Sequence, residues 1–74
     1  MNYKTPSERV AAEVRAELAR AQIKIKDLAP KLDMSVSTLQ RRLSGEIPFD
    51  VEELTQIAQI ANVSPAAFFA SKAA

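Results

Sequence analysis

The chain of 74 residues has no cysteine, no histidine and no tryptophan, and it has a single glycine. The missing cysteine and histidine close whole classes of function. Without thiolate or imidazole there is no zinc site of the usual Cys or His ligands. A cysteine nucleophile and a Ser–His pairing are excluded by the same absence. Disulfides cannot reinforce the fold either, and at this length a single core is marginal, so the domain must rely on regular helix packing. No apolar run approaches membrane-spanning length, and the opening MNYKTPSERV has no secretory h-region. No cofactor, metal, membrane or small-molecule substrate is expected. An enzyme is not expected, because the acids fall on helix faces and form no paired-carboxylate cleft.

What is present is alanine-rich and poor in aromatics, which favours an all-α domain. The formal net charge is only +1, but it is unevenly spread. Residues 20–45 hold Arg20, Lys24, Lys26, Lys31, Arg41 and Arg42 against Asp27 and Asp33. The rest of the chain holds Lys4, Arg9, Arg15 and Lys72 against seven acids. A local basic face of this kind can meet phosphate while acidic flanks limit nonspecific attraction; ordinary solvated helix faces are the bland alternative.

Taken in order, the spacing predicts five helices between a short N-terminal arm at 1–5 and a frayed tail at 71–74. Thr5-Pro6-Ser7-Glu8 is a helix start with a capping box and proline at the first position. It opens a scaffold helix over 6–21, whose apolar stripe is Val10, Val14, Leu18 and Ala21, with Ala11 beside it. Its Glu and Arg residues, Arg15 among them, are read as solvated. A second helix is expected over 25–32 despite Pro30, which demands a late start, a tight first turn or a kink. Asp33 stands where the chain must turn, in left-handed geometry that Asp tolerates better than most residues. Ser35 then caps a third helix over 36–44, stopped by Gly45. Ile47 and Phe49 are expected to tuck beneath the helices. Asp50 opens a fourth helix with core residues Leu54, Ile57, Ala58 and Ala61, ending at Asn62. Its Glu52-Glu53 pair suits the helix dipole. Ser64-Pro65 opens a fifth helix carrying Phe68 and Phe69.

Within this plan, residues 23–45 form a helix-turn-helix. Leu28 and Leu32, and again Leu39 and Leu43, give each short helix one apolar edge. The third helix turns Val36, Ser37, Gln40, Arg41 and Ser44 outward, side chains that suit groove edges and phosphates.

The stretch DLAPKLDMSVSTLQRRLSGE, followed by FDVEELTQIAQIANVSPAAFF, resembles the phage Cro/repressor-like (Xre-type) helix-turn-helix domains. The matching marks are Leu28-Ala29 in helix 2, Met34-Ser35 at the turn, and Ser37-Thr38 before the aliphatic Leu39. Gly45 follows the recognition helix, and Ile57, Ala58, Ile60, Val63 and Ser64 echo the end of the next helix. The chain departs from the pattern at Ile25, where the family often has a phosphate-anchoring Gln, at Asp33, where it has glycine, and at Pro30.

The resemblance implies a five-helix lambda-repressor-like fold over 6–70 that binds double-stranded DNA, with helix 3 in the major groove. Val36, Ser37, Gln40 and Arg41 are then the base-reading candidates. Lys24, Lys26, Thr38, Arg42 and Ser44 are the phosphate-binding ones, and Lys31 is a further candidate for DNA contact. Thr38 has an alternative as a capping residue and Arg42 as a shield for Leu39. The implied role is a cytoplasmic transcriptional repressor in a bacterial host, a phage immunity repressor or Cro-like factor, acting by occupying an operator. A homodimer on two half-sites is a possible partner arrangement, through Phe68 and Phe69 or through Ile60. The rival from another class is a protein-interaction module on the same helices, for example an antitoxin-type domain.

Overall fold

The computed structural model describes residues 5–69. Four α-helices follow one another, α1 Pro6–Arg20, α2 Ile25–Lys31, α3 Val36–Leu43 and α4 Val51–Ala61, and a single 3₁₀ turn closes the described chain at Pro65–Phe68. There is no strand among the described residues. The all-α expectation therefore stands, but the fifth α-helix does not. Ser64 caps it as expected, accepting from the Ala66 N–H, and Pro65 starts it. The element then lasts four residues, because Phe68 is already seated in the core and Phe69 turns out to solvent. The arm at Met1–Lys4 and the tail at 71–74 lie outside the described residues.

Helix starts follow local chemistry. Thr5 Oγ1 accepts from the Glu8 N–H at 3.1 Å, and Glu8 Oε1 accepts from the Thr5 N–H at 3.2 Å, a complete capping box. Asp50 and Glu53 repeat it at α4, at 2.7 and 3.0 Å. Ser35 Oγ caps α3 by accepting from the Thr38 N–H at 3.1 Å.

Helix ends share one device. Gln22, Asp33, Gly45 and Asn62 all take positive φ, at 58, 57, 85 and 60°. In each case the next residue donates back across the last turn: Ile23 to Leu18, Met34 to Ala29, Glu46 to Arg41 and Val63 to Ala58. This is the Schellman closure, and it satisfies carbonyls that a helix end leaves unpaired. Three of the four donors, Ile23, Met34 and Val63, also pack on the core. Gly45 and Asn62 were legible as stops; Gln22 was not. Gln is the least suited of the four to left-handed backbone, since it has neither the short side chain of Asn and Asp nor the freedom of Gly. Gln22→Gly is expected to raise stability by about 0.5–1 kcal/mol, the relief of left-handed strain less the added freedom of the unfolded chain. A thermal melt should move up by about 2–8 °C. A lower midpoint would contradict that conformation at residue 22.

Pro30 sits inside α2 as its sixth residue, exposed. It forfeits one helical hydrogen bond, to the Lys26 carbonyl, and only Lys31 follows it in the helix, so the disruption falls at the end of α2. The first turn is tightened instead: the Lys24 carbonyl accepts from both Asp27 and Leu28, each at 3.0 Å.

The core is Ala11, Val14 and Leu18 from α1, Leu28, Ala29 and Leu32 from α2 and its end, Leu39 and Leu43 from α3, four residues of α4 and Phe68. Ala11 replaces Ala21 on the α1 stripe, since Ala21 falls in the exposed cap. Phe49 packs on this cluster as expected. No polar side chain is buried among the described residues. The arrangement holds α3 against α1 and α2 and leaves one full face of it outside.

Candidate nucleic-acid interface

The outer face of α3 is built by its register. Leu39 and Leu43 are buried at 0% and 4%, which turns Val36, Ser37, Gln40, Arg41 and, at the cap, Ser44 to solvent. At roughly 100° per residue these five fall within one arc of the helix. Val36 is 40% exposed, enough to meet an apolar group. Among the described residues the side chains of Gln40 and Arg41 have no hydrogen-bond or ion-pair partner, so their donors are free for a ligand.

Two hydroxyls named as phosphate candidates are already engaged. Thr38 is half-buried, and its Oγ1 accepts from Ser35 Oγ at 3.0 Å within the cap. Ser44 Oγ donates to the Arg41 carbonyl at 2.9 Å and accepts from the Glu46 N–H at 3.3 Å. A hydroxyl has one proton, and this one is spent within the domain, so as it stands Ser44 has nothing to donate to a phosphate.

The basic candidates divide. Lys24 and Lys31 line a shallow hollow of about 250 Å³ with Asp27 and Ile60, toward the end of α4. Gln40 borders a different hollow of about 290 Å³, with Arg15, Ile25 and Leu43. Lys26 is exposed and lies roughly on the opposite side of α2 from Lys24. The structure thus does not gather Lys24, Lys26 and Lys31 into one patch. Arg42 is half-buried on the flank of α3, where its Nε meets Glu53 Oε2 at 3.1 Å.

Two long-range contacts escape sequence reasoning. The Arg15 guanidinium donates to the carbonyl of Leu43, so α1 caps the C-terminus of α3. A cation there is also favoured by the helix dipole. Arg15, read from spacing as merely solvated, anchors α3. The second contact is the Arg42–Glu53 pair. Periodicity signals neither, because each joins residues from different helices.

The proposed partner surfaces are also redistributed. Phe68 is fully buried and cannot belong to one. Ile60 is half-buried and packs on the core. Phe69, 59% exposed, and Val51, 76% exposed, instead border a shallow apolar hollow with Val10 and Phe49.

The model of one family, the BetR domain, matches residues 6–74 of this chain. The chain belongs to the BetR family. BetR domains are of the helix-turn-helix DNA-binding type, and the two short helices, the capped turn and the solvent-facing α3 described above are the parts such a domain requires. Neither a curated protein nor a solved structure matches the chain. No helix among the described residues of this BetR domain is long and apolar enough to cross a membrane.

Proposed function

We propose that this BetR domain reads double-stranded DNA by sequence and acts as a transcriptional repressor, occupying an operator with α3 in the major groove. The observation that carries the reading is that Arg41 and Gln40, on the outer face of a helix capped at both ends, have no side-chain partner among the described residues. Guanidinium pairs with guanine O6 and N7, and a Gln amide with adenine, while Val36 suits a thymine methyl and Ser37 a base edge. Lys26 and Lys24 supply phosphate contacts on separate sides of α2; Thr38, whose own hydroxyl proton is uncommitted, and Arg42 are candidates beside them, and Ser44 joins them only when its hydroxyl turns from the Arg41 carbonyl. Likeness to Cro and to phage repressors supports repression by occupancy, without enzymatic activity or cofactor, in the cytoplasm of a bacterial host. One module makes few contacts, so a homodimer on half-sites about 34 Å apart fits the affinity a repressor needs.

A random-oligonucleotide selection tests the proposal, with an enriched palindrome as the expected result. Affinity for the selected duplex should fall steeply with salt. Arg41→Ala should lose discrimination at one base pair, by about 1–3 kcal/mol. Lys26→Ala should weaken every sequence alike and lower the log–log salt slope by about 0.9. Equal losses on all sequences for both variants would remove Arg41 from base reading. A second reading, a protein-interaction module, draws on the exposed Val51 and Phe69; it predicts no enrichment and no salt-dependent binding to DNA.

A further inference from the structure

Glu53 lies in the first turn of α4, away from the outer face of α3, yet both oxygens of its carboxylate are engaged. Oε1 accepts from the Asp50 N–H at 3.0 Å, while the Glu53 N–H donates to Asp50 Oδ1 at 2.7 Å. Oε2 accepts from Arg42 Nε at 3.1 Å, with the two side chains 14% and 20% exposed. The carboxylate is therefore held by its own helix cap before it meets the arginine.

The contact on Arg42 is made by Nε alone. A guanidinium has five N–H donors in one rigid plane, so this side-on contact uses one and leaves four on the two Nη atoms. Among the described residues those four have no partner. Fixing Nε and the plane restricts where the Nη edge can lie, and Arg42 stands on the flank of α3 next to Arg41. Two Nη groups presented as a fork match a pair of phosphate oxygens.

We propose that Glu53 is a positioning residue for DNA binding: it holds the Arg42 guanidinium so that its Nη edge meets a backbone phosphate beside the groove that α3 reads. The proposal rests on the DNA-binding reading above and adds to it a residue outside the helix-turn-helix. Charge alone argues for the opposite effect. A carboxylate near a phosphate repels it, so removing the charge of Glu53 should tighten binding if electrostatics decides, and loosen it if positioning decides. Glu52, one residue earlier and exposed, has no partner among the described residues and is the matched control.

The experiment measures affinity for the selected duplex across a salt series, at a temperature where circular dichroism finds each variant folded. Glu53→Gln keeps an acceptor for the Asp50 N–H and should bind about fivefold more weakly, the scale of one partly exposed ion pair. Glu52→Gln should bind equally or more tightly. Arg42→Ala should weaken binding and lower the salt slope by about 0.9, and in that background Glu53→Gln should cost nothing further. Glu53→Asp, which keeps the charge and shortens the reach, should also weaken binding and serves if the Gln variant does not fold. Equal or tighter binding by folded Glu53→Gln or Glu53→Asp overturns the proposal, as does a loss that persists undiminished without Arg42. A wild-type domain with no salt-dependent affinity for any duplex overturns the DNA-binding reading, and this assignment falls with it.

Discussion

Phe68→Ala is expected to cost about 3–5 kcal/mol, the scale for truncating a fully buried aromatic. A chain of this length has about 4–11 kcal/mol of stability to lose, at ~0.05–0.15 kcal/mol per residue. The substitution thus removes a large share of the total, and the melting midpoint should drop by at least about 12 °C. The reason lies in where the residue sits. Its element is one 3₁₀ turn with little intrinsic stability, but Phe68 is 0% exposed and the turn packs against both α1 and α4. Truncation opens a cavity between the turn and those two helices. The neighbouring Phe69→Ala is the control: with 59% of Phe69 exposed, that change should stay within about 0.5 kcal/mol. Similar losses in the two variants would mean that the turn does not direct Phe68 inward and Phe69 outward.

Gly45→Ala should be the second most damaging change, at about 2–5 kcal/mol. Two costs combine. The residue has φ of 85°, where a Cβ is strained by about 1–2 kcal/mol. The added carbon would also lie 2.7 Å from Glu8 Cγ and 2.8 Å from Glu8 Cα, and overpacking typically adds about 1–3 kcal/mol. The Glu8 Cα belongs to the backbone of the first turn of α1, which cannot rotate aside as a side chain could. Denaturant unfolding should show a lower midpoint with an unchanged slope, since the fold is weakened and not expanded. A midpoint at the wild-type value would contradict the close approach of α1 to the end of α3. Gln22 and Gly45 occupy equivalent places after their helices, so the same kind of position should respond with opposite signs when glycine is introduced at one and removed from the other.

What could be read from the sequence divides by distance along the chain. Caps depend on residues two or three apart, so the Thr5–Glu8 box and the caps at Ser35 and Asp50 are legible, whereas Glu53 reads only as a match to the helix dipole and its half of the second box is not seen. Apolar periodicity marked Leu28, Leu39, Ile57 and their neighbours as core for the same reason. The fifth element was misjudged because Ser64-Pro65 announces a start, whereas its length is decided by Phe68 docking on distant helices. Arg15 and Arg42 looked like solvated or phosphate-seeking cations; their partners, the Leu43 carbonyl and Glu53, are 28 and 11 residues away. Lys24, Lys26 and Lys31 lie close in sequence, but once α2 is wound Lys26 parts from Lys24 and Lys31, which border one hollow. The candidate reading face itself was legible, because it is the complement of the Leu39–Leu43 stripe on one helix.

The shortness of α2 and α3, seven and eight residues, bears on whether the helix-turn-helix is portable. Helices below ~12–15 residues are marginal alone in water, so a peptide of residues 23–45 has the side chains of the motif without its shape. Grafting must therefore carry α1, whose Arg15 closes the end of α3, α4, whose Glu53 grips its flank, and the turn that seats Phe68. The smallest transferable unit is nearly the whole domain.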